Sequence, residues 1–69
     1  MSKIFRGNDK CKTIIDVTDL LMFSKADGLF IELHFQMLNG SIGCLVYSDK
    51  ETRDRDYDQL ALLIDLKEG

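Results

Sequence analysis

Sixty-nine residues allow one small domain, 1–69, and such a chain buries only about 60% of the surface its unfolded form exposes. With 45% hydrophobic and 30% charged residues the chain is too apolar to be disordered. Nine Lys and Arg against 12 Asp and Glu leave −3, which is not the footprint of a protein that grips a phosphate backbone. No stretch approaches the roughly 18 apolar residues of a membrane span, and residues 1–15 lack a signal-peptide core, so a cytoplasmic protein without membrane contact is expected.

In chain order, Lys3-Ile4-Phe5-Arg6 reads as a short edge strand before a Gly7-Asn8-Asp9 turn. Lys3, Arg6, Lys10 and Lys12 crowd this end and are expected to act as solubilising charges. Thr13-Ile14-Ile15 is β-branched and suits a brief extended segment, with a turn or single helical turn over Asp16 to Asp19. Leu20-Leu21-Met22-Phe23 is an apolar run leading to Asp27-Gly28, a hairpin signal because Gly readily takes positive φ. Leu29 to Leu38 then reads as a strand that stops at Asn39-Gly40 and resumes from Ser41 to Tyr47.

Asn-Gly suits a two-residue type I′ turn. With Asn39 and Gly40 as its central residues, Leu38 faces Ser41, Met37 faces Ile42, Phe35 faces Cys44 and Leu33 faces Val46. Alternation then gathers Leu29, Ile31, Leu33, Phe35, Met37, Ile42, Cys44 and Val46 on one wholly apolar face, the expected core. A two- or four-residue Asp27-Gly28 connection adds Leu20 and Met22 to that side.

Ser48-Asp49-Lys50-Glu51 matches a capping box with Ser48 as N-cap, opening a helix from about Asp49 to Leu66. Tyr57, Leu60, Ala61 and Ile64 form its buried stripe at i, i+3, i+4 and i+7. The expected fold is therefore α+β: an antiparallel meander of three to five strands with one C-terminal helix packed on one face.

In that register the other face collects Leu21, Phe23, Phe30, Leu45 and Tyr47 around Glu32 and His34, while Leu62 and Leu66 lie opposite the helix's core stripe. A clustered apolar patch of this kind marks an interaction site. The expected interface is thus Leu21, Phe23, Phe30, His34, Leu45, Tyr47, Leu62 and Leu66, with a second copy of the chain or a host protein as partner. The competing expectation is that Ile4, Phe5, Ile14 and Ile15 fold over the patch within the monomer. A further alternative, single-stranded nucleic acid stacked on Phe23, Phe30 and Tyr47, lacks nearby basic residues apart from Lys25.

Catalytic and cofactor readings fail on inventory, so no enzyme and no cofactor are expected. The single His, His34, would point away from Cys44, which separates the Cys–His couple. Cys44 reads as a small buried hydrophobe, and Cys11 beside Lys10 and Lys12 as the more reactive thiol. The acidic run Asp49, Glu51, Asp54, Asp56 and Asp58 is interleaved with Lys50, Arg53 and Arg55 and contains no Gly, unlike a calcium loop. Asp49 with Arg53 and Glu51 with Arg55 are expected as solvated helix pairs. Gly43, inside a strand, suggests a bulge or a close approach of another backbone.

Leu33-His34-Phe35-Gln36-Met37-Leu38-Asn39-Gly40 followed by Ser48-Asp49-Lys50-Glu51 resembles short proteins of bacteria and their phages, over Thr13 to Leu66. They share a strand, an Asn-Gly hairpin and a charged helix. The resemblance implies a phage- or mobile-element accessory protein that binds a host factor, and it carries over no functional residue.

Overall fold

In the computed structural model, residues 3–68 are described, with side chains through residue 65. β1 (Ile4–Arg6) and β2 (Ile14–Asp16) form an antiparallel ribbon in which Phe5 faces Ile15. Alternation sends Phe5 and Ile15 into the core and leaves Ile4 and Ile14 exposed. A single 3-10 turn follows at Val17–Asp19, capped by the Asp16 carboxylate, which accepts from the Thr18 amide at 3.0 Å. Then come β3 (Leu20–Asp27), β4 (Ile31–Met37) and β5 (Ile42–Tyr47), an antiparallel meander in the order β3-β4-β5, and the helix α1 (Lys50–Glu68). The fold is α+β, a three-stranded meander and a two-stranded ribbon with one C-terminal helix.

The core lies on one side of the meander, beneath both α1 and the opening ribbon. Phe5, Ile15, Val17, Leu20, Leu33, Leu45, Tyr47 and Leu60 are buried there, with Phe23, Ile31, Phe35, Tyr57, Leu63 and Ile64 packed around them. The ribbon is therefore not a cover for the second sheet face. It shares the first face with the helix, because a three-strand sheet and one helix leave too little apolar contact for a chain this short.

The strand register departs from expectation by one residue. Ile31 pairs with Tyr47, Leu33 with Leu45, His34 with Cys44, and Phe35 with Gly43. The cause is the turn. Gly40 N–H donates to the Met37 carbonyl at 3.0 Å, and Met37 N–H donates to Ser41 O at 2.7 Å, so Leu38-Asn39-Gly40 is a three-residue loop. Gly40 has φ +93° whereas Asn39 stays at negative φ, which excludes type I′ and fits a type I turn closed by a glycine bulge. Asn39 contributes differently: its Oδ1 accepts from the Ser41 amide at 2.9 Å.

A one-residue slip turns every side chain of a strand over. Leu45 and Tyr47, expected on the outer face, are in the core, and Ile42 and Cys44, expected in the core, are exposed. The same happens across the first hairpin, where Gly28–Phe30 is also a three-residue connection between Asp27 and Ile31. Phe23 consequently turns towards the helix, where its ring lies 4.9 Å from that of Tyr57. An irregularity between Leu20 and Met22 restores Leu20 to the core and leaves Leu21 and Met22 outside. Phe35 packs over Gly43, so that a Cβ at Gly43 would sit 2.6 Å from the ring, and this close approach explains a glycine inside β5.

The helix is opened by Asp49, not Ser48. Its carboxylate accepts from the Thr52 amide at 3.0 Å and from Thr52 Oγ1 at 2.9 Å. Leu60 from the expected stripe is fully buried, with Tyr57, Ala61 and Ile64 half-buried. The acidic run is not uniformly solvated. Glu51 does pair with Arg55 at 2.6 Å, but Arg53 turns inward and donates to Asp54 at 2.7 Å, to Asp27 at 2.9 Å and to the Glu32 carbonyl at 3.3 Å. Asp56, also buried, accepts from the Asn8 amide, from Asn8 Nδ2 and from the Tyr47 hydroxyl. Among the described residues no helix is long and apolar enough to cross a membrane.

Candidate functional site

The side of the meander away from the core carries no covering element among the described residues, and its composition follows from the register. β3 contributes Met22, Ser24 and Ala26, β4 contributes Glu32, His34 and Gln36, and β5 contributes Ile42, Cys44 and Val46. Met22 is 53% exposed and Ile42 78%, so both stand in solvent. Between them lies a shallow depression of about 420 Å³ lined by Met22, Ser24, His34, Gln36, Ile42 and Cys44, with Phe23, Phe35 and Gly43 also bordering it.

Two polar side chains of this face lie against each other. His34 Nε2 lies 3.3 Å from Glu32 Oε1, two residues along the same strand and therefore on the same side. Cys44 stands directly across the ladder from His34. The expected register separates these two side chains, and the one-residue shift sets them on the same face. Partial desolvation, then the charge and hydrogen bonding of Glu32, push the Cys44 thiol up, away from the thiolate that nucleophilic chemistry requires.

The eight residues expected at an interface fall into four groups. His34 is on the open face as expected. Leu45 and Tyr47 lie buried in the core, and Phe23 is half-buried against Tyr57 on the helix side. Leu21 is exposed at the β3 irregularity, Phe30 in the β3–β4 loop, and Leu62 on the outer side of the helix, all apart from the depression. The side chain of Leu66 lies outside the described residues. Phe23, Phe30 and Tyr47 thus occupy three different environments and make no common stacking surface.

Met22, Ile42, Cys44 and Val46 belong to the open face, whereas the expected register sets them in the core. Ile42-Gly43-Cys44-Leu45-Val46-Tyr47 is apolar on both alternating sets, so hydrophobicity could not choose which set faces inward. One signal was present: only in the observed register does Gly43 sit opposite an aromatic residue, Phe35, whose ring needs the space a side chain would fill. Compared with known protein families, curated proteins and solved structures, the chain matches none.

Proposed function

We propose that this chain is a non-catalytic interaction module that self-associates through the open face of its three-stranded sheet. The observation that carries the reading is charge depletion beside exposed apolar side chains. In a protein that is 30% charged, Glu32 is the one Asp, Glu, Lys or Arg among the nine outward positions of β3, β4 and β5, and it lies against His34. Met22 and Ile42 stand exposed in the same area. Antiparallel sheets that face water normally alternate with polar residues outside.

A second copy of the chain is the favoured partner. A two-fold interface sets a surface against itself, so it tolerates no unpaired like charge near the axis. The single carboxylate of this face is held by its own His34, whereas the rest of the chain carries the remaining −2 of its net −3 charge and repels. Self-association also adds burial to a domain whose core is thin.

The test is light scattering across a concentration series, on the protein and on Ile42→Glu. A dimer that Ile42→Glu converts to monomer, with an unchanged circular dichroism spectrum, is the expected result. A chain monomeric at every concentration, or a dimer indifferent to Ile42→Glu and Met22→Glu, rejects the reading.

A further inference from the structure

β4 is the central strand of the meander, so a copy that covers the open face also covers the middle of β4. Glu32 and His34 lie there on the same side, with His34 Nε2 3.3 Å from Glu32 Oε1. The imidazole is 51% exposed and exchanges protons with water, whereas the carboxylate, at 24%, depends more on its neighbour for a counter-charge.

Few other groups act on this pair. Across the ladder His34 faces Ser24 of β3 and Cys44 of β5, and Glu32 and Gln36 flank it on its own strand. The diagonal positions on β3 and β5 carry no ionisable side chain. Partial desolvation, then Glu32, push the Cys44 thiol up, so it keeps its proton at neutral pH. Glu32 is thus the one charge set against the imidazole.

An imidazole changes charge between about pH 5 and 8, a range in which carboxylates stay ionised. With His34 neutral, the face carries one negative charge. With His34 protonated, the contact becomes an ion pair and the face carries no net charge. A two-fold interface doubles whatever the face holds and withdraws it from water. Two uncompensated carboxylates oppose that burial more than two internally neutral pairs do. We propose that the His34–Glu32 pair is a pH switch on self-association, with the open faces of two copies binding more tightly when His34 is protonated than when it is neutral.

The switch rests on the open face being a self-association surface, and it adds the regulation of that surface. A dimer that prefers protonated His34 takes up protons as it forms, so it tightens as pH falls and loosens as pH rises. The dimer dissociation constant is measured by sedimentation equilibrium between pH 8 and pH 5.5. Ionic strength is fixed, and a reductant keeps the exposed Cys11 and Cys44 as thiols. The parent chain is expected to associate about 10-fold or more tightly at the acid end, within the usual range for coupled equilibria. His34→Gln is expected to lose this response. Glu32→Gln is expected to reverse it, because protonated His34 then stands without its counter-charge, and a merely structural role of either side chain predicts no reversal. A dimer indifferent to pH, a response that survives His34→Gln, or a Glu32→Gln response that fails to reverse overturns the switch and leaves self-association standing. A chain monomeric throughout overturns both. Circular dichroism at each pH excludes unfolding as the source of a change.

Discussion

The hydroxyl of Tyr47 donates a 2.6 Å hydrogen bond to the buried carboxylate of Asp56, and through it β5 is tied to the helix at the centre of the protein. The same carboxylate accepts from the Asn8 amide at 2.7 Å and from Asn8 Nδ2 at 2.9 Å, so it also pins the loop after β1. One buried acid thus joins three separate segments. Asp9, buried in the same loop, holds that loop's far end by accepting from the Thr13 amide and hydroxyl. Each partner is short in sequence range or polar in type, yet together they decide where the opening third packs.

Tyr47→Phe removes one donor from a buried charged acceptor and is expected to cost about 1.5–3 kcal/mol. It also alters the alkaline limb of stability. Burial, then the hydrogen bond and charge of Asp56, raise the tyrosine above its ordinary 10.0 in the folded state. The folded chain therefore keeps a proton that the unfolded chain releases, so this contribution is complete below pH 10 and falls as pH rises above it. Urea unfolding from pH 7 to 11 should show a loss above pH 10 that is smaller in Tyr47→Phe. Equal alkaline losses in both proteins would contradict the assignment.

The register itself can be tested by paired truncations. Leu45 is fully buried and Ile42 is 78% exposed, the reverse of the type I′ expectation. Leu45→Ala should cost about 2–5 kcal/mol through lost contacts and the cavity left behind. Ile42→Ala should stay within about 0.5 kcal/mol, as surface changes do. Chemical denaturation of the two variants decides between the registers, because the alternative reverses their order.

The two turn glycines should respond differently to a methyl group. Gly40 has φ +93°, where an L residue is strained, so Gly40→Ala is expected to destabilise by about 1 kcal/mol or more. Gly28 carries no such φ, and a Cβ there meets nothing within 4 Å. Gly28→Ala is expected to stabilise by about 0.4–1 kcal/mol by restricting the unfolded chain. Thermal melts of both variants check the contrast.

Acid should weaken the protein through two helix-start carboxylates. Amide and hydroxyl donation by Thr52 lowers the Asp49 carboxyl, and hydrogen bonding from Arg53, then Lys25, lowers that of Asp54, both from 3.8. Their contributions are complete above the unfolded value and are lost as pH falls below 3.8 through the folded ones. Asp49→Ala and Asp54→Ala should each lower the melting temperature at pH 6 and flatten its decline between pH 4 and 2. A decline as steep as in the parent protein would assign the acid loss to other groups.

The elements and their order are legible in the chain's local patterns. Two turn signals, the β-branched opening segments and the 3.6-residue stripe through Leu60 are local patterns, and local patterns specify local structure. They place the helix start within one residue and the inward set of β4 correctly, because Ile31, Leu33 and Phe35 alternate with Glu32, His34 and Gln36. Which side of β3 and β5 turns inward is settled instead by long-range packing. Asn39-Gly40 accommodates both a two-residue and a three-residue loop, and β5 is apolar on both sides, so neither the turn nor the strand carries the choice alone. The choice is made where Tyr47 reaches Asp56, Phe35 covers Gly43, and the ribbon of Phe5 and Ile15 closes over Leu45. Those contacts join residues far apart in the chain, and they expose Met22, Ile42 and Cys44 as the open face.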